Sequence, residues 1–254
     1  MDKNFFISTK SAVNFCEPDS FVLGCVGEPW NVLSSIVIVF FGLYGLYNVN
    51  YRFVRPDNQL VGSHKLQSNI LYSLLACIGI GSVFFHSHLS PFAHWVDIIF
   101  ISIMLVYSQY ILSPKRYNLV NKLKFVLWML THLVSSIFIP QIHIFLLFGT
   151  GFCVQNLIED KIWLNYLPQH IINQRMSTDL TYTNASFLIR HDVPPDNKVV
   201  NEYILITKYF SIALLFWLID YFLCGIITPY HVHWIFHIFI GFVSYKIIGL
   251  IKYL

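Results

Sequence analysis

Histidine, aspartate and serine residues lie inside apolar stretches of this sequence, where such side chains are costly. Ser82 and His86 occur in the run GIGSVFFH, Asp97 in AHWVD, and His233 and His237 in HVHWIFH. An Asp, Lys or Arg at the centre of a membrane helix costs roughly 2.5–3.5 kcal/mol on the insertion scale. Polar groups kept at such positions commonly mark a functional site, so these five residues are our candidates for chemistry.

The spacing of the histidines indicates a metal site. His233 and His237 are four residues apart, which places both imidazoles on one face of a helix. His86 comes from a distant part of the chain and supplies a third nitrogen. Three histidines around an ion with one open position are typical of catalytic zinc, and neutral ligands allow a bound water to ionise near pH ~7. We therefore predict that His86, His233 and His237 bind zinc.

Two further polar side chains have the chemistry to assist such a site. Ser82 precedes His86 by four residues and shares its helix face, so its hydroxyl can hydrogen-bond the water or a developing oxyanion. Asp97 can orient the water, accept its proton and pass that proton to the leaving group. A single histidine near a membrane interface more often hydrogen-bonds its surroundings, which is the role predicted for His88, His94, His132, His143 and His231.

The composition requires a membrane to surround these residues. The chain has 254 residues, of which 56% are hydrophobic, 17% aromatic and only 11% charged. Soluble domains carry about 25% charged residues, so this chain cannot coat a water-soluble globule of its size. The net charge of +3 comes without a dense basic patch, which argues against a nucleic-acid partner. The first long apolar run begins after residue 30 and is too long for a cleavable signal peptide.

Apolar runs near the length that crosses a bilayer predict an all-α, polytopic membrane protein with a bundle of seven transmembrane helices. The fourth and fifth spans are short and meet at Pro140. The predicted spans are 30–49, 68–88, 92–112, 123–139, 141–158, 203–223 and 231–251. They form a single domain over 1–254, with 1–29 as an N-terminal segment and 159–202 as a long polar loop.

Positive charge predicts the orientation of the bundle. With the N-terminus outside and the C-terminus inside, 14 of the 16 Lys and Arg residues fall on the inner side, and only Lys3 and Lys10 fall outside. The 159–202 loop is then an inner loop. The same orientation places the end of the second span and the starts of the third and seventh at the outer side. The five candidate residues therefore arrive at a similar depth.

Four separated blocks of the sequence resemble the alkaline ceramidase family, closer to its bacterial members. That family belongs to a larger group of seven-helix membrane hydrolases that includes adiponectin-receptor-like proteins. The blocks are NFCEPDS at 14–20 with GEPWNVLSS at 27–35, GIGSVFFH at 79–86, AHWVD at 93–97, and IDYFLC at 219–224 with HVHWIFH at 231–237. The resemblance implies an intramembrane zinc-dependent amidase that hydrolyses ceramide, a membrane lipid, to sphingoid base and free fatty acid. It also implies zinc ligation by His86, His233 and His237, with Asp97 and Ser82 as the catalytic pair.

The resemblance implies a calcium site in the N-terminal segment as well. Its ligands would be Asn14, the carbonyl of Phe15, Glu17, Asp19 and Glu28. Carboxylates and carbonyls are the hard oxygen donors that calcium takes. Family members often have Asp and Trp where this chain has Asn14 and Phe15, so one negative charge is missing. Without the resemblance, the segment is also explained as a solvated acidic terminus.

A disulfide between Cys16 and Cys224 is the last feature that the resemblance implies. Both cysteines fall on the outer side in the predicted topology, and the bond would require an oxidising compartment. Cys25 is a competing partner for either thiol. The alternative is five unpaired cysteines, with Cys77 and Cys153 buried in spans.

Several other functions are compatible with parts of the pattern. A zinc-containing lipid-binding or receptor-like relative would keep the metal for structure, and a hydrolase of another lipid amide would use the same residues. A b-type haem protein would use His86 with His233 or His237 as axial ligands, which leaves Asp97 and Ser82 without a role. A di-iron desaturase needs more clustered histidines than these blocks contain.

Overall fold

The computed structural model describes residue 17 and the ranges 26–52, 62–113, 119–166, 198–227 and 232–251. These ranges contain long helices, so the all-α prediction is confirmed. The helices are α1 (Pro29–Tyr47), α2 (Gly62–His88), α3 (Pro91–Leu112), α4 (Leu119–Phe138), α5 (Pro140–Tyr166), α6 (Lys198–Ile227) and α7 (His233–Ile251). A π-helical turn, Asn48–Arg52, follows α1.

Six of these helices, all except α4, are long and apolar enough to cross a membrane. Their apolar side chains also point outward: Phe40 is 60% exposed, Phe145 76% and Phe222 70%. Large apolar surfaces of this kind need lipid around them. The chain is therefore a multi-pass integral membrane protein.

The bounds predicted for the polar segment 159–202 are wrong at both ends. Helix α5 continues to Tyr166, and α6 already begins at Lys198. The sequence prediction ended the fifth span at the charged run that starts with Glu159, but that carboxylate accepts a hydrogen bond from the Tyr203 hydroxyl at 3.1 Å. Charges at the end of a span can be stabilised by such partners without breaking the helix. Residues 167–197 lie outside the described part of the chain.

Helices α1, α2 and α7 pack against one another and form the centre of the bundle. On one side α3 packs on α2, with α4 and α5 behind it, and on the other side α6 packs on α7. Ile38 of α1, Leu71 and Leu75 of α2 and Val243 of α7 are almost fully buried where the central helices meet. The central group carries the three candidate zinc ligands, while α3 carries Asp97.

Glycines allow α1 and α2 to approach closely. A Cβ atom at Gly42 would lie 2.5 Å from the backbone nitrogen of Ala76, and one at Gly79 would lie 2.6 Å from that of Val39. No larger residue fits at either position without separating the helices. Small residues are the usual means by which membrane helices bring their backbones together.

Gly42→Ala is therefore expected to destabilise the bundle by about 1–3 kcal/mol, the usual cost of overpacking. Gly149→Ala is the matched control, because a Cβ atom there meets nothing within 4 Å. The measurement is the thermal unfolding midpoint of both variants in the same detergent. Equal midpoints for the two variants would show that the α1–α2 contact does not depend on glycine.

A short connection sets the register of α2 against α3. Helix α2 ends at His88 and is followed by Leu89 in the left-handed region, at a φ of 53°. Ser90 then caps α3, because its side chain accepts a hydrogen bond from the Ala93 nitrogen at 3.2 Å, and Pro91 occupies the first turn. This two-residue link holds the last turn of α2, with His86, beside the first turns of α3, with Asp97.

Candidate active site

The three predicted zinc ligands meet at one end of the bundle. His86 lies in the last turn of α2, while His233 begins α7 and His237 follows one turn later. Each side chain offers a nitrogen, and these atoms all lie within 4.8 Å of one another. The residues are only 1%, 3% and 4% exposed, respectively, so water does not solvate them freely.

Glu28 supports His86 from the segment before α1. This segment pairs with the end of α2 through backbone bonds from Glu28 N to His86 O at 2.9 Å and from Gly27 N to Ser87 O at 3.1 Å. The pairing brings the Glu28 carboxylate to His86, whose Nδ1 donates to Oε2 at 2.5 Å. Asn31 donates from Nδ2 to the same oxygen at 2.9 Å.

Two serines of α1 determine the tautomer of His237. Its Nδ1 lies 2.9 Å from the Ser34 hydroxyl and 3.2 Å from the Ser35 hydroxyl. Both hydroxyls donate to the Asn31 carbonyl, at 3.0 and 2.6 Å. A hydroxyl has one hydrogen to give, so in this arrangement the His237 Nδ1–H is the donor to the serines. Its Nε2 lone pair is then available to an ion.

Asp220 of α6 places a carboxylate beside His233 Nδ1. Its Oδ2 lies 3.4 Å from His233 Nδ1, and the two side chains are at most 3% exposed. All three ligands thus turn Nδ1 toward an oxygen-bearing side chain. Histidines that bind metals almost always donate their second ring nitrogen in this way, which orients the ring. The donor set therefore fits a metal ion held by three Nε2 atoms.

Asp97 and Ser82 lie beside the cluster of histidines. Helices α2 and α3 touch here, since a Cβ atom at Gly81 would lie 3.1 Å from the Cα of Asp97. Asp97 is near enough to His86 to interact with it electrostatically. Within the described part of the chain, its Oδ1 atom is buried and has no hydrogen-bond partner. A buried carboxylate oxygen without a partner is costly, and substrate or water in the site would satisfy it.

The Ser82 hydroxyl is 2.9 Å from that of Ser35. Because Ser35 gives its hydrogen to the Asn31 carbonyl, Ser82 is the donor in this pair. Ser82 is 2% exposed, which places it inside the bundle. It can turn its hydrogen to another oxygen only by rotating about its Cβ–Oγ bond away from Ser35.

Two sequence comparisons bear on this arrangement. The family model described as Ceramidase matches residues 8–254. The chain belongs to the ceramidase family. Among curated proteins, "Putative alkaline ceramidase dcd3B" of Dictyostelium discoideum is 27% identical over 93 residues. That match covers 34% of this chain and 33% of the relative, so it spans about a third of either protein. The resemblance noted from the sequence motifs is thereby confirmed.

The calcium and disulfide predictions fall mostly outside the described part of this ceramidase-family chain. Asn14, Phe15, Asp19 and Cys16 lie outside it, as does the side chain of Cys224. Glu17 is described, and its two carboxylate oxygens accept hydrogen bonds from the backbone nitrogens of Trp30 and Asn31, at 2.9 and 3.0 Å. It thus satisfies two amide groups that the start of α1 leaves without helical partners.

Sequence reasoning missed the partners of the histidines. Glu28 was assigned only to calcium, and Asp220, Ser34 and Ser35 were given no role. A signal was present for Asp220, because an acid within an apolar span is a candidate functional residue. The serines gave only a weak signal. Which histidine each of these residues contacts depends on how the helices are rotated against one another.

Glu28→Gln is expected to weaken zinc binding by about 10–100-fold, the usual effect of losing a hydrogen-bonded carboxylate behind a metal-binding histidine. Glutamine keeps the size of the side chain but not its charge. The measurement is competition for zinc with a chelator of known affinity. Glu202→Gln is the control, since that carboxylate pairs with Lys246 at 2.6 Å, away from the histidines. Unchanged zinc affinity in Glu28→Gln would show that Glu28 does not support metal binding.

Proposed function

We propose that this ceramidase-family protein is a zinc-dependent amidase that hydrolyses ceramide within the membrane. The observation that carries the proposal is the buried cluster of His86, His233 and His237, whose ligand nitrogens lie within 4.8 Å of one another. Each imidazole has its Nδ1 beside an oxygen-bearing side chain. Three neutral nitrogens with one position left open are the donor set of catalytic zinc.

The cluster favours zinc over haem. A b-type haem needs two axial histidines and an open plane for the porphyrin between them. A third imidazole nitrogen within 4.8 Å of both ligands would lie in the space that the porphyrin occupies. The carboxylates of Glu28 and Asp220 also suit a divalent cation, because their negative charge offsets the charge of the ion.

The residues around the metal have separate roles in the proposed reaction. His86, His233 and His237 would hold zinc, which supplies a Lewis acid and lowers the pKa of a water molecule to about 7. Asp97 orients the attacking water, accepts its proton and returns it to the nitrogen of the departing amine. Its buried Oδ1, without a hydrogen-bond partner among the described residues, is free to do so. The products are a fatty acid and a sphingoid base.

Ser82 contributes a hydrogen bond to the substrate oxygen in this proposal. Its hydroxyl is directed at Ser35 in the structure, at 2.9 Å. As negative charge develops on the carbonyl oxygen, rotation of the Ser82 hydroxyl exchanges the neutral Ser35 acceptor for a charged one. Hydrogen bonds to charged acceptors are roughly twice as strong as those between neutral groups.

A lipid substrate suits the position of the site. His86 is in the last turn of α2 and His233 is the first residue of α7, so the cluster lies near one end of the spans. Apolar side chains at the level of the cluster and further into the spans are exposed, including Leu33, Phe40 and Phe222. An amide at the membrane surface with two hydrocarbon tails can reach this depth from the bilayer. The choice of ceramide among such lipids follows from the family.

Calcium is part of the same proposal. Asn14, the Phe15 carbonyl, Glu17, Asp19 and Glu28 would hold it at the outer end of α1. Glu28 fits this role, because its Oε1 is buried and has no hydrogen-bond partner in the described residues, while Oε2 contacts His86. Oxygen donors of this kind are those that calcium prefers.

We also propose seven spans, with the N-terminus outside and α4 as the additional span. Helix α4 runs along the length of α3: Trp95 Nε1 donates to Ser136 at 3.2 Å near one end, and the rings of Tyr110 and Phe125 are 4.8 Å apart near the other. Its two lysines, Lys122 and Lys124, lie near its start. They suit the inner surface of the membrane.

Reporter fusions after Ile139 test this topology in a bacterial host. If α4 crosses the membrane, Ile139 lies outside, and fused alkaline phosphatase is expected to be active while fused green fluorescent protein is dark. Fusions after Leu254 provide the internal comparison and are expected to give the opposite result. Fluorescence at Ile139 would contradict the proposed topology.

The experiment for the proposed function is a substrate panel on detergent-purified protein in mixed micelles. Ceramide is expected to release fatty acid and sphingoid base, while a diacylglycerol with matched chains reacts much more slowly. Preference for the diacylglycerol would show that the protein is an esterase rather than an amidase. Turnover of N-acylethanolamine but not ceramide would keep the amide chemistry and change the substrate. Zinc binding without hydrolysis of any of these lipids would favour a receptor-like relative.

A further inference from the structure

A second group of buried histidines lies in α4 and α5, outside the cluster of His86, His233 and His237. His132 of α4 and His143 of α5 are both 0% exposed. His132 Nε2 lies 2.9 Å from the Thr150 hydroxyl, which joins α4 to α5. His143 contacts two serines on different helices, Ser102 of α3 at 3.0 Å and Ser135 of α4 at 2.8 Å. His143 therefore joins three helices through one side chain.

The two nitrogens of His143 hold different neighbours. Nε2 faces Ser102 on α3, and Nδ1 faces Ser135 on α4. A neutral imidazole has one donor and one acceptor, so one nitrogen donates to its serine and the other accepts from its serine, in place of that serine's bond to a backbone carbonyl of its own helix. Leaving any of these buried groups without a partner would be expensive in a membrane interior. The contacts thus fix the rotation of α5 against both of its neighbours.

Ser102 connects this group to the catalytic side of α3. Its hydroxyl lies 2.9 Å from the carbonyl oxygen of Ile98, the residue after Asp97. At the level of Asp97 itself, α3 is pressed against α2, where Gly81 leaves room for its backbone. Helix α3 is therefore held from two sides near Asp97: by a close backbone contact with α2 and by a hydrogen bond from α5.

We infer that His143 is a positioning residue, which through Ser102 fixes α3 so that the Asp97 carboxylate faces the histidine cluster. This inference rests on the proposed function, because it assigns Asp97 the proton transfer. The zinc ligands themselves are on α2 and α7, so His143 does not act on them. Small errors in the placement of a reacting group are costly, since a displacement of about 1 Å can lower a rate 10²-fold.

The two serines provide matched variants that separate positioning from packing. Ser102→Ala and Ser135→Ala each remove one hydroxyl and one bond to His143, but only Ser102 belongs to α3. We expect Ser102→Ala to lower kcat about 10- to 100-fold with little change in KM or zinc content. Ser135→Ala is expected to keep kcat within about threefold of the wild type. Unfolding midpoints of both variants show whether the two bonds contribute equally to stability.

Substitutions of His143 test the same point by rescue. In His143→Gln, the terminal amide group occupies the position of Nε2 and can keep the bond to Ser102. In His143→Asn, the amide group occupies the position of Nδ1 and can keep only the bond to Ser135. The glutamine variant is therefore expected to retain most of the kcat, and the asparagine variant is expected to resemble Ser102→Ala.

Hydrogen exchange of the α3 peptide that contains Asp97 gives a readout without catalysis. We expect faster exchange in Ser102→Ala and His143→Asn than in Ser135→Ala and His143→Gln. An active wild type in which the two serine variants lose kcat equally, or not at all, would overturn the positioning role alone. A wild type that binds zinc but hydrolyses no ceramide would instead reject the proposed function. The exchange data would then decide whether His143 orders α3.

Discussion

Asp97→Asn is expected to lower kcat for ceramide hydrolysis by about 10²–10⁴-fold, the usual contribution of a general acid–base group. Asparagine keeps the size of the side chain and can still hydrogen-bond a water molecule, but it cannot accept a proton. Zinc content should stay at that of the wild type, because Asp97 is not among the three clustered ligands. The measurements are steady-state kinetics and metal analysis on the same preparation.

Asp160→Asn is the matched control for this variant. Asp160 is also an acid within a candidate span, but it lies near the C-terminal end of α5, next to Glu159. Its substitution is expected to leave kcat nearly unchanged, because Asp160 is not among the residues of the candidate site. Wild-type turnover in Asp97→Asn would exclude Asp97 from proton transfer. Loss of zinc in that variant would assign it to metal binding instead.

His237→Ala is expected to remove both zinc and activity. Only two of the three protein ligands would remain, and catalytic zinc sites use three. The loss of affinity should exceed the ~10²-fold upper range for residues that only support a ligand. Turnover should fall to the level of the uncatalysed control. Zinc content after dialysis against a weak chelator is the direct measurement.

His132→Ala is the control, because it removes an equally buried imidazole from the second group of histidines. His132 is 0% exposed and contacts Thr150, not the cluster of His86, His233 and His237. This variant is expected to lose some stability but to keep its zinc and most of its activity. If His132→Ala lost zinc as completely as His237→Ala, the effect would reflect disruption of the bundle rather than loss of a ligand.

The sequence predicted the residues of the site better than their partners. Long apolar runs and charge asymmetry place Ser82, His86 and Asp97 at one level of the bundle, and the four-residue spacing puts His233 and His237 on one face. The length of an apolar run and the spacing of residues within it are local to a single helix. The sequence also predicted the helical class and most of the spans, because the length of an apolar helix must match the thickness of the bilayer.

Contacts between helices were not predictable in the same way. Glu28 faces His86 because the segment before α1 pairs with the end of α2. His143 was expected to hydrogen-bond near the interface as a lone residue, yet it lies fully buried between α3 and α4. These positions depend on close approaches such as that at Gly42, which fix helix rotation through many side chains at once. Hydrophobic periodicity carries little of that information.

Zinc titration of one wild-type preparation is the decisive measurement. Protein stripped with a strong chelator is returned to increasing zinc content, and ceramide hydrolysis is measured at each step. Turnover is expected to rise in proportion to bound zinc and to reach its limit at about one equivalent per chain, as three histidines hold one ion. Full turnover in zinc-free protein, or no turnover at full occupancy, would contradict zinc-dependent ceramide hydrolysis by this chain.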